Sequence, residues 1–273
     1  MTPLQHWPAA EHRQLVGVFT DIDDTLTTDG AITPDALAAL HSLQATGLAV
    51  IAITGRPIGW CAPFAQTWPV EAMVAENGAV AFFRSQIGLQ TTPVLNSLLS
   101  KLYQQDAATR ADNFQRMQAV AQRLLREVPG ATLAQDSAGR ETDIAIDHSE
   151  FTRLQPEQIA QVVQIMQAEG MTATVSSIHI NGWYGSHNKL SGARWIVQHL
   201  YRRELDAELA QRAYVGDSAN DQVMFQRFAH SVGVANILGV AGQLAHRPRY
   251  VTVAARGAGF AEVAAAVLTA RQP

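Results

Sequence analysis

Short apolar runs alternate with amphipathic stretches near both ends of the chain. The run Leu15–Thr20 is rich in residues that favour β-strands and ends in an acidic segment, which is typical of a buried parallel strand followed by a loop. A helix is predicted with Thr33 as N-cap, Pro34 in its first turn and Gly47 as its stop. A second apolar run, Leu48–Ile53, completes a strand–helix–strand unit.

The middle of the chain has a different pattern. The pair Asn77-Gly78 lies between two apolar arms within Val74–Phe82, which predicts a hairpin. After Phe83 the helical and alternating patterns are those of a small α+β unit. We expect helices at Ala107–Glu127 and Pro156–Glu169, strands at Ala131–Gln135, Thr142–Asp147 and Thr172–Ile180, and a turn at Asn181–Gly185.

The parallel pattern returns towards the end of the chain. We predict a helix at Leu190–Leu209, a strand at Arg212–Val215, an acidic loop at Gly216–Asp221, a helix ending at Phe228, strands at Ser231–Val234 and Tyr250–Val253, and a helix at Gly259–Thr269. The fold class is therefore α/β: a doubly wound parallel-sheet (Rossmann-like) core of residues 1–83 and 186–273, with an inserted α+β cap of residues 84–185. In such sheets ligands bind at the carboxyl ends of the strands.

Composition excludes several classes of protein. The formal net charge is −4 and no basic run is present, which disfavours a nucleic-acid partner. No window approaches the roughly 20 apolar residues that span a bilayer, and no secretory signal is recognisable, so a cytoplasmic protein is expected. Cys61 is the single cysteine, which excludes an intrachain disulfide or a cysteine-based metal cage.

Two carboxylates lie one residue apart directly after the first strand. In an extended segment Asp21 and Asp23 point to the same side, and without a counter-charge one of them would take up a proton. A divalent cation removes this conflict, and Asp217 and Asp221, in the loop after a later strand, offer further oxygen ligands. Because oxygen ligands favour Mg²⁺ over Zn²⁺, the sequence predicts a magnesium site at these residues.

The same strand ends carry groups suited to binding phosphate. A cation held by few carboxylates keeps coordination positions that phosphate oxygens can occupy, which favours phosphoryl transfer. Gly55 and Gly216 permit close backbone approach, the Thr54 hydroxyl can donate to a phosphate oxygen, and Lys189 supplies a compact positive charge. Metal and lysine together would neutralise the charge on the equatorial oxygens.

These segments occur in the order of a known set of motifs. They are Asp21-Ile22-Asp23-Asp24-Thr25, Thr54-Gly55-Arg56, Lys189 and Gly216-Asp217-Ser218-Ala219-Asn220-Asp221, with Glu76-Asn77-Gly78-Ala79 as an additional match. The set resembles the motifs of the haloacid dehalogenase-like hydrolase superfamily. With a large insert between its second and third motifs, the chain is similar to the branch that contains Cof-type sugar phosphatases, sucrose-phosphate, trehalose-phosphate and mannosylglycerate-phosphate phosphatases, and phosphomannomutases.

The resemblance implies a role for each matching residue. Asp21 would be the nucleophile that forms an aspartyl-phosphate, and Asp23 the acid/base that protonates the leaving alcohol and then deprotonates water. Mg²⁺ would bind the Asp21 carboxylate, the Asp23 backbone carbonyl and Asp217, with Asp221 acting through a water molecule. The implied substrate-binding residues are Thr54, Gly55, Arg56, Lys189 and Asn220.

Some of these assignments keep alternatives. Arg194 could serve in place of Lys189, Arg56 could form an ordinary salt bridge, and Trp183 could plug the cap against the core. For the other cap residues that could bind a polyol, a surface position is the favoured alternative, with ordinary ion pairs among the first three: Arg140, Glu141, Asp143, His179, Asn181 and Tyr184.

The expected function is Mg²⁺-dependent hydrolysis of a small phosphomonoester, with a sugar phosphate as the favoured substrate class. Two alternatives remain, a phosphosugar mutase and a non-catalytic sugar-phosphate sensor, and the sensor is disfavoured because Asp21 and Asp23 are both retained. The expected partner is the small-molecule substrate, with neither nucleic acid nor membrane. Monomer and dimer both stay open.

Overall fold

The computed structural model describes residues 1–84 and 99–271, and its centre is a nine-stranded sheet. Every pairing from β1 across to β6 is parallel, whereas β6–β7 and β7–β8 are antiparallel. Numbered along the chain, the strands lie in the spatial order β1 (Thr2–Pro3), β15 (Tyr250–Val251), β14 (His230–Gly233), β13 (Arg212–Gly216), β2 (Gly17–Thr20), β5 (Ala49–Ile53), β6 (Ala72–Ala75), β7 (Val80–Arg84) and β8 (Leu99–Tyr103).

A smaller sheet and several helices complete the described residues. The second sheet is antiparallel, in the order β11 (Thr172–Val175), β12 (His179–Trp183), β10 (Ile144–Asp147) and β9 (Thr132–Leu133), and a short ribbon joins β3 (Thr27–Thr28) to β4 (Ala31–Ile32). The α-helices are α1 (Ala9–His12), α2 (Pro34–Ala45), α3 (Ile58–Thr67), α4 (Ala107–Glu127), α5 (Pro156–Ala168), α6 (Lys189–Tyr201), α7 (Leu205–Glu208), α8 (Gln222–Arg227) and α9 (Arg256–Thr269). Single 3₁₀ turns occur at Leu4–His6, Glu76–Gly78, Ser137–Gly139, Leu209–Gln211, Ala235–Gly239, Ala241–Gln243 and Ala219–Asp221.

Helices cover both faces of the large sheet, which confirms the predicted doubly wound α/β class. On one face Leu40 of α2 and Phe260 of α9 pack into a core with Val50 of β5. On the other face Ile196 of α6 packs with Phe19 of β2. Both cores exclude water from the sheet, and burial of each such side chain contributes roughly 1.5–3 kcal/mol. No α-helix among the described residues is long and apolar enough to cross a membrane.

The second sheet has an apolar core of its own. Helices α4 and α5 pack on it through side chains that include Leu124 and Met166, which contact the strand residues Ile146 and Trp183. Strand β8, in contrast, pairs with β7 at the edge of the large sheet, although it lies in the segment 84–185 predicted as a cap. The division into core and cap stays a prediction, and residues 85–98 of that segment lie outside the described residues.

Local signals in the sequence placed most elements. Helix α2 begins after Thr33 with Pro34 in its first turn, as predicted. The predicted hairpin forms between β6 and β7, and its turn residues Asn77 and Gly78 have φ angles of 55° and 111°. These left-handed conformations favour asparagine and glycine, which explains why the pair marks the turn.

Three predictions of local structure were wrong. The stretch Thr172–Ile180, expected as one strand, instead contains β11 (Thr172–Val175) and the start of β12 at His179, and these two strands pair antiparallel. The segment Asn181–Gly185 was expected to form a turn, but Asn181 to Trp183 belong to β12. A β-carbon on Gly182 would lie 2.6 Å from Met166 Sδ, so the glycine is required by helix packing rather than by a turn. The helix expected at Leu190–Leu209 ends at Tyr201, because Arg202 adopts a left-handed φ of 56° before α7 begins.

A buried histidine between β12 and α6 makes stability depend on pH. The His187 ring stacks on Trp183 with ring centres 5.3 Å apart, and its buried Nε2 has no hydrogen-bond partner within residues 1–84 and 99–271. Burial lowers the pKa of His187 from 6.5 to about 4. The unfolded chain therefore binds this proton more tightly, and stability present above pH 6.5 is lost as the pH falls towards 4.

We expect a His187→Phe variant to lose less stability on acidification than the parent chain. The shift in pKa corresponds to at most about 3 kcal/mol, since one unit is worth about 1.36 kcal/mol. Urea unfolding at pH 7.5 and pH 5 measures the difference, and His41→Phe, which changes an exposed histidine, serves as the control. An identical pH dependence in His187→Phe and the parent would contradict the assignment.

Candidate active site

The acidic loop after β2 holds Asp21 at the carboxyl edge of the large sheet. Strand β2 lies between β13 and β5, and the Asp21 amide donates to the Val215 carbonyl of β13 at 2.9 Å. The hydrogen bonding of the sheet thus extends one residue beyond β2, and Asp24, with a φ of 53°, turns the chain. Because its backbone is tied to the sheet, Asp21 is positioned by the rigid part of the fold and is only 4% exposed.

The two oxygens of the Asp21 carboxylate differ in their contacts: Oδ1 is held by neighbouring donors, whereas Oδ2 is open. Oδ1 accepts from the Ile22 amide at 2.8 Å and lies 2.9 Å from Lys189 Nζ. In the part of the chain that the structure describes, no hydrogen bond reaches Oδ2. Burial raises the pKa of Asp21 to about 7; Lys189 opposes this rise, whereas Asp221 and Asp23 add to it. An oxygen of this kind is available to attack an electrophile.

Lys189, the first residue of α6, joins the two acidic loops. Its ammonium is 2.7 Å from Asp221 Oδ1 as well as 2.9 Å from Asp21 Oδ1, and the residue is buried. Burial lowers the pKa of Lys189, but the two carboxylates outweigh this effect and raise it above its ordinary value. Arg194, the alternative from the sequence, instead pairs with Asp206 at the surface at 2.7 Å. The structure thus brings Lys189 to Asp21.

The loop after β13 folds back on itself around Asp221. Oδ2 of Asp221 accepts from the amides of Asp217 and Ser218 at 2.9 and 3.1 Å, and Oδ1 accepts from the Tyr214 hydroxyl. A β-carbon on Gly216 would lie 2.5 Å from Asp221 Oδ2, so the loop requires glycine there. The carboxylate of Asp221 therefore orients the loop and Lys189.

Three buried carboxylates form a group that could hold a cation. Oxygens of Asp21, Asp217 and Asp221 all lie within 4.8 Å of one another. Burial raises the pKa of Asp217 well above its ordinary value, and the charges of Asp21 and Asp221 add to the rise. Lys189 is one positive charge against three carboxylates, so a divalent cation would relieve the remaining repulsion. An oxygen-only donor set fits Mg²⁺.

The side chain of Asp23 lies outside this group and contacts Arg56. Asp23 Oδ1 accepts from Arg56 Nε at 2.9 Å, and Arg56 also contacts Asp136 at 3.0 Å and Glu150 at 2.7 Å. Burial raises the pKa of Asp23, and Arg56 opposes the rise. Arg56 thus forms the salt bridge that the sequence left as an alternative, and its contact with substrate stays a prediction.

The segment after β5 presents a hydroxyl and a carbonyl to the same edge. Thr54 Oγ1 accepts from the Arg56 amide at 3.0 Å, which leaves its own proton free to donate. The Gly55 carbonyl accepts from Arg140 at 3.0 Å and from Asn181 at 3.3 Å. Thr54 thus keeps a donor for a ligand oxygen, whereas Gly55 anchors residues of the second sheet and the loop before it.

Asn220 lies in the 3₁₀ turn that follows β13. Its Oδ1 accepts from the Ser218 hydroxyl at 2.8 Å, and the residue is 8% exposed. This bond fixes the side-chain amide at the same edge of the sheet as Asp217. Its contact with a phosphate, as implied by the motif, stays a prediction.

Three residues support the acidic group in roles that the sequence did not predict, and of these only Thr25 was part of a recognised motif. Thr25 Oγ1 donates to Asp217 Oδ1 at 3.3 Å, and Asn236 Nδ2 donates to Asp217 Oδ2 at 3.1 Å. Burial raises the pKa of the Tyr214 hydroxyl well above its ordinary value, so it remains a donor to Asp221. Tyr214 lies in an apolar strand segment, and only its hydroxyl distinguished it from core residues.

The polar residues predicted in the cap do not behave alike. Arg140 and Asp143 are buried, form an ion pair at 2.8 Å and are joined by Asn181, so the surface alternative was wrong for them. Burial raises the pKa of Asp143 to about 7, against the effect of Arg140. Glu141 is partly exposed and pairs with Lys101, as the surface alternative has it.

The remaining cap candidates have separate contacts. Trp183 is fully buried in the apolar core of the second sheet, and the Tyr184 hydroxyl donates to the Glu169 carbonyl at 3.2 Å. His179 Nε2 lies 2.8 Å from Glu150 Oε2, which connects it to the ion pairs of Arg56. Of these three residues, His179 is therefore the one connected to Asp23, through Glu150 and Arg56.

Glu76 links the large sheet to the loop before β10. Its buried carboxylate accepts from the amides of Ile58, Glu141 and Thr142. Burial raises the pKa of Glu76, although these donors oppose the rise. The carboxylate thus caps the start of α3 and holds the loop of residues 141–142 against it.

The fold and the site define an α/β protein whose polar groups gather at the carboxyl ends of a doubly wound sheet. The model of the haloacid dehalogenase-like hydrolase family matches residues 18–114, which include the first two motifs. This match confirms the predicted resemblance to haloacid dehalogenase-like hydrolases, and the solved structures described next share the fold. No curated protein matches the chain.

Several solved structures share the fold over nearly the whole chain. The sucrose-phosphatase from Synechocystis sp., solved with sucrose and phosphate, is 17% identical, with a TM-score of 0.63 over 93% of this chain and 98% of that one. The C-terminal domain of C. albicans trehalose-6-phosphate phosphatase is 12% identical, with a TM-score of 0.67 and coverages of 98% and 99%. A HAD/COF-like hydrolase from Plasmodium vivax is 16% identical, with a TM-score of 0.65 and coverages of 96% and 99%.

Proposed function

We propose that the protein is a Mg²⁺-dependent phosphatase that hydrolyses a small phosphomonoester, with a sugar phosphate as substrate. The observation that carries the proposal is the contact of buried Lys189 with both Asp21 and Asp221, beside Asp217. The family match to hydrolases and the phosphatases among the structural neighbours support the assignment as a phosphatase.

The open oxygen of Asp21 supplies the nucleophile. As Oδ2 forms a bond to phosphorus, the bond from phosphorus to the leaving oxygen breaks, and Asp23 donates its proton to that oxygen. The raised pKa of Asp23 favours the protonated form that this step needs. Asp23 then takes a proton from a water molecule that attacks phosphorus, and orthophosphate and free Asp21 are released.

The phosphoryl group would bind to residues at the carboxyl edge of the large sheet. Lys189 and the Thr54 hydroxyl offer donors, and Gly55 and Asn220 flank the same edge of the sheet. Mg²⁺, when bound, would neutralise charge on the phosphoryl oxygens. The residues that would hold it are Asp21, Asp217 and the Asp23 backbone carbonyl, with Asp221 acting through a water molecule.

A panel of phosphomonoesters assayed with Mg²⁺ tests the function. We expect release of orthophosphate, complete loss of release with a chelator, and recovery on addition of excess Mg²⁺. Chromatography of the products would reveal isomeric sugar phosphates if the protein were a mutase. No turnover of any ester by the folded, metal-loaded protein would refute the proposal, and recovery with Zn²⁺ but not Mg²⁺ would refute the predicted metal.

A further inference from the structure

The acid/base candidate is connected to carboxylates from loops next to the second sheet. The Arg56 guanidinium contacts Asp23 at 2.9 Å, Glu150 at 2.7 Å and Asp136 at 3.0 Å. Glu150 follows β10, and Asp136 follows β9. A leaving group whose oxygen is protonated by Asp23 must lie beside Asp23, because proton transfer requires hydrogen-bond contact. Glu150 and Asp136 contact the same guanidinium as Asp23, so both carboxylates lie close to the position of the leaving group.

The loop that carries Glu150 is built to hold it in place. Asp147, which is 1% exposed, accepts through Oδ1 from the amides of Ser149 and Glu150, at 3.0 and 2.9 Å. Its Oδ2 accepts from the amides of Phe151 and Thr152, at 2.9 and 3.2 Å. The pKa of Glu150 falls to about 2, because the hydrogen bonds from His179 and Arg56 outweigh the opposing effect of burial. Glu150 is thus a fixed carboxylate.

The cations near these carboxylates are already paired. Arg56 contacts three carboxylates, and Arg140 contacts Asp136, Asp143 and the Gly55 carbonyl. Within this described cluster, two guanidinium groups face four carboxyl groups, those of Asp23, Asp136, Asp143 and Glu150. Neither guanidinium is left to neutralise a further anion, and His179 is itself bound to Glu150.

A separate observation points to a ligand with hydrogen-bond acceptors. The side-chain nitrogen of Asn77 is buried and has no hydrogen-bond partner among the residues that the structure describes, and the residue is 1% exposed. A β-carbon placed on Gly55 would lie 3.4 Å from this nitrogen, so the amide lies next to Gly55, the residue between Thr54 and Arg56. A buried donor without a partner is unfavourable, and a ligand hydroxyl would satisfy it.

We propose that the site selects an uncharged, hydroxyl-rich leaving group and rejects one that carries a second negative charge, with Glu150 as the main determinant. This inference rests on the proposed phosphatase function. A hydroxyl can donate to the Glu150 and Asp136 carboxylates and accept from Asn77. A carboxylate or second phosphate in the same place meets the like charges of Glu150 and Asp136, while Arg56 and Arg140 already have carboxylate partners.

Matched substrates that differ in one group test the selection. Sorbitol 6-phosphate and 6-phosphogluconate differ in a terminal CH₂OH or carboxylate, as do glycerol 3-phosphate and 3-phosphoglycerate. We expect kcat/KM for the neutral member of each pair to be at least about tenfold higher, since like charges across a partly buried site repel by more than 1.4 kcal/mol. Equal values within both pairs would overturn the inference and leave the phosphatase proposal intact.

Variants of Glu150 and Asp136 test whether these carboxylates cause the preference for an uncharged leaving group. In Glu150→Gln we expect the neutral-to-anionic ratio to fall at least about threefold, because one repulsive charge is lost and Arg56 is partly released. Asp136→Asn provides a second variant if the first does not fold, and Glu157→Gln, an exposed carboxylate at the start of α5, should keep the parental ratio. An unchanged ratio in both site variants would overturn the role of these carboxylates. No orthophosphate from any substrate would refute the proposed function, and the inference with it.

Discussion

Replacing Asp21 with asparagine is expected to abolish phosphatase activity while the fold is kept. The amide cannot attack phosphorus as the carboxylate does, and loss of a covalent nucleophile commonly lowers kcat by about 10⁴-fold or more. Orthophosphate release under saturating Mg²⁺ measures the effect. Asp112→Asn, which changes an exposed carboxylate of α4, should retain parental activity.

The same variant should be at least as stable as the parent when metal is removed. Burial and the neighbouring Asp221 and Asp23 make the Asp21 charge unfavourable, which is why its pKa rises to about 7. An uncharged amide of similar size removes that repulsion, although it weakens one contact of Lys189. Thermal unfolding with a chelator present tests this.

For the activity of the same variant, near-normal turnover by Asp21→Asn would show that Asp21 is not the nucleophile.

The positions of the motif residues followed from the sequence because local rules place them. Asp21 and Asp217 directly follow apolar strands, and the strands of a parallel sheet end at one edge. Lys189 begins a helix after β12, and that helix packs on the same sheet. The structure accordingly brings these three side chains together; the strand ends predicted this for Asp21 and Asp217, and the motif resemblance predicted it for Lys189.

The residues around Arg56 could not be found in this way. Asp136 and Glu150 lie 80 and 94 positions from Arg56, in loops whose sequence resembles any polar surface loop. Their contact depends on how the second sheet and its loops lie against the large sheet, and no local propensity records that arrangement. Asp147 is similar, since an acidic residue at a strand end gives no sign that it binds four amides.

The structural role of individual glycines was also ambiguous from the sequence, for a related reason. Gly182 suggested a turn beside Asn181, but the space it leaves is filled by Met166 of α5. Gly216 suggested close approach to a phosphate, whereas the closest group is the carboxylate of Asp221. A glycine reports that a β-carbon is excluded, and only the tertiary structure shows which atoms exclude it.

Replacing Lys189 with methionine is expected to damage both stability and activity. Methionine has a similar length but leaves Asp21 and Asp221 buried without their shared cation. Removal of one partner from a buried ion pair costs about 3–5 kcal/mol, and we expect a loss near the lower value because Asp21 can take up a proton. Urea unfolding at pH 8 with a chelator present measures the free energy of unfolding.

Activity should fall at least about 100-fold in Lys189→Met, because Lys189 both orients the attacking carboxylate and offsets charge on the phosphoryl oxygens. Lys101→Met is the matched control: Lys101 is 30% exposed and pairs with Glu141, so its removal should cost no more than about 1 kcal/mol. If the two variants lost equal stability, the buried contacts of Lys189 would not carry the energy assigned to them. If Lys189→Met kept parental turnover, the lysine would hold the loops together without assisting transfer.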